Sequence, residues 1–214
     1  MQEFATTDKT ALSRAKNRGS YDEKTIHAIL DEAMICQAGF VRDGYPVVLP
    51  LAYGRENNRV YLHGAKDSPF MQQLGSGENI CLSVFLLDGL VLAKSAFHHS
   101  VNFRSVVMFG KGVRVVDYQE KMHALKVITN HVIKNRWDKT RLPTQKEVDI
   151  TAVISFEITE ASAKTRSGPP VEKESDSDFP LWSGVINLET VYRLIQAKES
   201  FTEPEIELVN YRRG

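Results

Sequence analysis

Cysteine is scarce in this chain, with Cys36 and Cys81 the only two thiols in 214 residues. Two are too few for a disulfide scaffold, and they lack the spacing of a zinc site. Both stand in apolar surroundings, so each is expected to act as a small buried hydrophobe in a reduced, cytoplasmic setting. A surplus of either charge is also missing, since 27 Lys and Arg balance 27 Asp and Glu. Neutrality argues against nucleic acid or an anionic membrane surface as partner, and it offers little self-repulsion against association. No run approaches the ~18 apolar residues of a membrane-spanning helix. The longest candidate, residues 80–92, is interrupted by Ser83, Asp88 and Gly89 and reads as buried strand. The first nineteen residues are polar and mixed in charge, without a signal-peptide core.

The usual signatures of chemistry are absent as well. There is no phosphate-binding loop of the G-x-x-x-x-G-K-[ST] type. Gly75-Ser76-Gly77 lacks the third glycine and the preceding strand of a dinucleotide fingerprint and reads as a turn. No G-x-S-x-G elbow presents a nucleophilic serine. The adjacent His98 and His99 would point to opposite sides of an extended chain, and His123 and His131 lie two helical turns apart, so no protein-ligated metal is expected. The acidic residues form no recognisable acid/base pair, and no catalytic side chain is assigned.

What is present is an ordinary globular composition, 42% apolar and 25% charged, with strong periodicity. Ser20 and Glu23 have capping-box spacing and predict a helix over 21–33. Residues 34–41 and 45–53 read as strands around the Asp43-Gly44 turn, and 59–63 as a third strand after Asn57-Asn58. Pro46 and Pro50 place the second of these at an edge or bulge, because proline cannot donate to a ladder. Ser68-Pro69 opens a short helix that stops near Gly75. Residues 79–87 and 90–95 read as a hairpin about Asp88-Gly89. Residues 104–116 form a long strand that bends at Gly110 and Gly112. Asp117 and Glu120 open a helix running to about Lys134. Residues 149–159 alternate with Ile150, Ala152, Ile154, Phe156 and Ile158 on one face. Residues 167–180 form an acidic loop, and Asn187 caps a last helix over 188–198. The expected fold is mainly β with flanking helices (α+β), its antiparallel strands closing into a barrel. The expected organisation is a flexible segment 1–19, one domain over 20–198, and a tail 199–214.

Three segments could carry chemistry. In Tyr61-Leu62-His63-Gly64-Ala65-Lys66-Asp67-Ser68-Pro69 a strand gives way to a helix. Unpaired helix N–H groups, Lys66 and the Ser68 hydroxyl together suit a phosphate. The plain alternative is that Ser68 caps its helix and Lys66 is solvated. Residues 97–105 are rich in polar groups and would face a ligand, a subunit or only one another. Trp182, after the acidic loop, would pack on a flat ligand, on a dimer seam or on the end of the core.

Together, His63-Gly64-Ala65, the string His99-Ser100-Val101-Asn102-Phe103-Arg104-Ser105-Val106-Val107 and Trp182-x-Gly184 resemble the pyridoxamine 5′-phosphate oxidase-like flavin-nucleotide-binding proteins. The nearest branch includes relatives of the nitroimidazole-resistance reductases, and the resemblance spans about residues 20–186. It implies an FMN-binding antiparallel split β-barrel and a homodimer with FMN at its interface. His63, Gly64, Ala65, Lys66 and Ser68 would then surround the phosphate and ribityl chain. Val47, Val48, Leu49 and Pro50 would lie against the isoalloxazine. Asn102, Phe103, Arg104 and Trp182 would come from the second subunit or line the seam. The oxidase's own pyridoxal-phosphate-binding residues find no match. The implied function is an FMN-dependent oxidoreductase acting on a small molecule, with a nicotinamide electron donor. The alternatives are a non-catalytic flavin- or haem-binding module, with His63, His98 or His99 as axial ligand, and an empty barrel that serves interaction alone.

Overall fold

A computed structural model describes residues 2–192. The described residues through Leu86, with Phe103–Ser167, make one compact unit. Leu87–Asn102, with the described residues from Gly168 onward, make a second.

The first unit is an antiparallel split β-barrel. Its sheet runs in the order β1 (Gly19–Ser20), β8 (Glu160–Arg166), β6 (Ser100–Val115), β7 (Thr151–Glu157), β4 (Arg59–Ala65), β3 (Tyr45–Glu56), β2 (Ile35–Arg42), β5 (Ser76–Leu92), and β5 also pairs with β6. The Asp43-Gly44 turn forms as expected, with positive φ at both residues (52° and 80°). Val60, Leu62, Leu82, Val106, Met108, Ile154 and Phe156 fill the interior. On the outside, α3 (Tyr118–Val132) packs Ala124 and Ile128 against Tyr61, Val115 and Val153.

Local chemistry sets the element ends. The helix α1 (Glu23–Glu32) is capped by Asp22, which accepts from the Thr25 N–H at 2.9 Å. Ser20, the expected cap, instead accepts from the Asp22 N–H. At the other end of α1, the Tyr53 hydroxyl donates to the Leu30 carbonyl, and His131 Nε2 donates to the Ala33 carbonyl at 2.8 Å. Asp117 caps α3 through the Glu120 N–H at 2.8 Å. A short helix α4 (Gln145–Asp149) with a full capping box at Thr144 and Glu147 occupies the start of the segment expected to be strand. Ile150 therefore stands exposed rather than in the core, and the strand β7 begins only at Thr151. The first residues contribute Phe4 to the core, while Thr7 and Lys9 bond Glu160.

The hairpin expected at Asp88-Gly89 does not form, because β5 continues through it to Leu92. In the second unit Gly89 lies opposite Asn187 of β9 (Gly184–Asn187), and Leu188 N–H donates to the Asp88 carbonyl at 3.0 Å. A Cβ on Gly89 would sit 3.0 Å from the Ile186 carbonyl oxygen, so the glycine serves strand approach and not a turn. Asn187 accordingly ends a strand instead of capping a helix. Residues 188–192 carry no helix, and the rest of that expected helix lies outside the described residues.

Candidate functional site: a fork between two strands

The strands β3 and β4 pair only from Glu56↔Arg59 to Tyr53↔Leu62. Beyond that point they part. Tyr45–Ala52 continue against β2, and His63–Ala65 continue against β7. Among the described residues, each strand is left with one backbone edge that has no strand partner, and the two edges diverge from a common root.

The first two groups of expected site residues lie on the two arms of this fork. Val47, Val48, Leu49 and Pro50 occupy the open arm of β3. Their side chains alternate across the sheet, Val47 packing on the core and Val48 standing 62% exposed, so what the four share is the backbone edge. On the β4 arm, His63 follows Tyr61 on the α3 side of the sheet. Its Nδ1 is buried and has no hydrogen-bond partner among the described residues. Burial also pushes the imidazole pKa below its ordinary value, which keeps the ring neutral. A neutral ring with an unmet buried nitrogen suits a ligand that brings its own polar groups.

Gly64 also stands close to a neighbouring helix. A Cβ there would meet the Met71 side chain at 2.8 Å, so the glycine lets α2 (Pro69–Leu74) close over the strand. Ala65 pairs with Thr151, and the next N–H, that of Lys66, donates to the Ile150 carbonyl at 2.9 Å. Ser68 caps α2 by accepting from the Met71 N–H. Lys66 is exposed.

Two further cations belong with Lys66 and carry no motif that would reveal them in the sequence. The Lys121 ammonium has its pKa lowered, chiefly by burial and further by the like charges of Lys66 and Arg114, with Asp149 opposing. Lys121 donates to the Val148 carbonyl. Arg114 arrives through the pairing of β6 with β7, and Lys121 through the first turn of α3. Only the tertiary fold gathers these residues, which is why no local spacing marks them.

The third expected group is divided between the two units. In the first unit, Phe103 stacks on Phe85 at 5.7 Å, and Arg104 forms a two-pronged ion pair with Glu32, one arm at 2.7 Å. In the second unit, Asn102 is buried and donates to the Gly168 carbonyl at 3.2 Å, while Trp182 is 66% exposed beside Gly184. Neither cysteine is set up as a nucleophile. Burial drives the Cys36 thiol up to about 12 and raises that of Cys81. Among the described residues no three His, Cys, Asp or Glu converge as metal ligands, and no helix is long and apolar enough to cross a membrane.

A split barrel with a forked strand pair defines the structural class, and comparison with known proteins gives the family. Residues 22–165 match the model of the pyridoxamine 5′-phosphate oxidase family. The chain belongs to that family. Among solved structures, it is similar to the flavocytochrome Anf3 from Azotobacter vinelandii at 35% identity. That match covers 97% of this chain and 98% of the other, with a TM-score of 0.87. It is also similar to the FAD and haem binding protein from Mycobacterium smegmatis at 30% identity, over 88% and 90% of the two chains, with a TM-score of 0.78. A protein named for 5-nitroimidazole antibiotic resistance, from Bacteroides thetaiotaomicron, matches at 25% identity over 68% of this chain and 85% of its own, with a TM-score of 0.57.

Proposed function

We propose that the chain is a flavoprotein of electron transfer that holds a flavin nucleotide in the fork between β3 and β4. The observation that carries this reading is the buried Nδ1 of His63, unmet among the described residues, on the β4 arm of a fork whose two inner edges have no strand partner there. A flavin ring system offers carbonyls and ring nitrogens along one edge, which suit such backbone groups. Lys66, Lys121 and Arg114 would neutralise the phosphate, and Ser68 would add a hydroxyl. A bound flavin supplies the redox chemistry itself, so the chain needs to provide only binding, orientation and shielding.

The resemblance read in the sequence points to FMN, and the M. smegmatis likeness points to FAD. Both share the ring, ribityl chain and first phosphate that the fork suits. The partner is a second copy of the chain, joined through the outward face of β2, β3 and β5. Ile35, Val41, Val48 and Phe85 are exposed there, and the chain's neutrality favours association. The substrate is a small oxidised acceptor, with a reduced nicotinamide as donor. The two free thiols fit a cytoplasmic setting.

A haem-bearing form of this reading is favoured by one specific observation. The two relatives named for both redox groups cover 97% and 88% of this chain, whereas the family model stops at residue 165. The likeness to them therefore runs on into the second unit.

The test is the absorbance spectrum of the purified protein, followed by acid release and chromatography of whatever flavin it carries. A stoichiometric flavin that bleaches with reduced nicotinamide is the expected result. A chain that purifies colourless and takes up neither FMN nor FAD on titration would overturn the reading.

A further inference from the structure

The end of the short helix α4 bonds both lysines of the proposed phosphate site, although α4 belongs to neither arm of the fork. We infer that α4 is the positioning element that aims Lys66 and Lys121 at a flavin phosphate. This rests on the proposed flavin site and concerns how that site is held and how it responds to pH.

The two lysines are held in different ways. The Val148 carbonyl, in the last turn of α4, accepts from the Lys121 ammonium at 2.5 Å. The Ile150 carbonyl, one residue past the helix end, accepts from the Lys66 backbone N–H at 2.9 Å. Carbonyls at a helix C-terminus lack intrahelical partners and carry partial negative charge, so an ammonium is favoured there. An ammonium has three donors, and the bond to Val148 engages one of them. A lysine stem is flexible, and fixing it before a ligand arrives removes part of the ordering cost of binding. Lys66 follows β4 and Lys121 lies on α3, so the two reach one place from separate elements and α4 bonds them both.

A helix of five residues does not persist on its own, and α4 is fixed from outside. The Thr144 N–H donates to the Glu147 carboxylate at 2.7 Å, and the Glu147 N–H donates to the Thr144 hydroxyl at 3.3 Å. Arg141 grips the same carboxylate with two donors, at 2.8 and 3.0 Å. These bonds, that from Arg141 first, hold the Glu147 carboxyl down at about 2, so the cap stays closed through neutral and alkaline pH. The Thr151 hydroxyl donates to the Glu147 carbonyl at 2.7 Å, and the Val148 side chain is buried.

α4 also sets the charge at this point. Lys66 and Arg114 face the Lys121 ammonium with like charge, and Asp149 of α4 faces it with opposite charge. Burial and the two cations favour loss of the Lys121 proton, and Asp149 opposes them. The same helix thus supplies the carbonyl that places this ammonium and the carboxylate that keeps it charged.

The experiment titrates the full chain with FMN and with riboflavin, which lacks the phosphate, by flavin fluorescence from neutral to alkaline pH. The variants are Lys121→Met, Asp149→Asn, and Thr144→Ala combined with Glu147→Ala, which opens the cap of α4. The thermal midpoint checks folding. Lys121→Met is expected to weaken FMN about tenfold or more while riboflavin binds as to the wild type. The open-cap variant should weaken FMN several-fold and leave riboflavin unchanged, a split that a merely structural role would not produce. Asp149→Asn keeps the side chain's shape and should move the alkaline loss of FMN binding to lower pH, again without effect on riboflavin. If both α4 variants keep the wild-type FMN affinity and pH profile while Lys121→Met is impaired, the role of α4 is overturned and the phosphate site stands. Equal losses of FMN and riboflavin in the α4 variants would overturn it too. A wild type that binds neither flavin, or binds riboflavin as tightly as FMN, would remove the phosphate reading and this inference with it.

Discussion

His63 shows most clearly how burial changes a side chain's behaviour. Its pKa lies below the ordinary value of 6.5 because a charged imidazole is poorly solvated where β4 buries it. The unfolded chain therefore binds more protons at this position than the native one. Stability is intact above about 6.5 and falls as pH drops through that value toward the lower native pKa. The urea midpoint, measured across this range, should fall less steeply in His63→Gln than in the wild type, and an identical slope would count against a buried neutral ring. Lys66 and Ser68 test the phosphate end of the fork. Removing both as Lys66→Ala with Ser68→Ala should weaken flavin binding by on the order of ten- to a hundredfold, about 1.5–3 kcal/mol for lost charge-assisted bonds. Fluorescence titration with FMN and FAD measures this, and an unchanged dissociation constant would move the phosphate elsewhere.

Among the secondary-structure elements, the sequence was most legible where a local signal and the tertiary fold agree. Asp43-Gly44, the Ser68-Pro69 helix start and the Asp117 cap each form because one short stretch contains everything its geometry needs. Reading fails where a partner distant in sequence decides. Asp88-Gly89 has the composition of a turn, yet β9 pairs across it and keeps β5 extended. Ile150 continues a perfect alternation, yet the Thr144–Glu147 capping box draws the preceding residues into helix. The proposed site divides in the same way. His63 and Lys66 lie on one motif, whereas Arg114 and Lys121 come near Lys66 only through separate elements. Gly112 offers a sharp test of these close approaches. A Cβ there would lie 2.0 Å from the backbone oxygen of Leu74, which no side-chain rotation relieves. Gly112→Ala should cost about 1–3 kcal/mol, read as a lower denaturation midpoint. A midpoint equal to the wild type's would show that α2 does not pack there.

The molecule as a whole is expected to assemble. The exposed Ile35, Val41, Val48 and Phe85 share the outward face of three neighbouring strands, as the pairings Gly39↔Val48 and Gln37↔Ser83 require. Large apolar side chains gathered on one sheet face are a surface for a partner. Sedimentation of the wild type should show a dimer, and Val48→Asp should shift it toward monomer and reduce flavin retention together. A monomeric wild type that keeps its flavin would contradict a shared site. A crystal structure of the flavin-loaded chain shows where the flavin sits. The account predicts density for the ring and ribityl chain along the open arms of β3 and β4, a polar flavin atom within hydrogen-bond distance of His63 Nδ1, and the phosphate beside Lys66. Flavin density at any other place on the chain, with His63 Nδ1 still unmet, would contradict it.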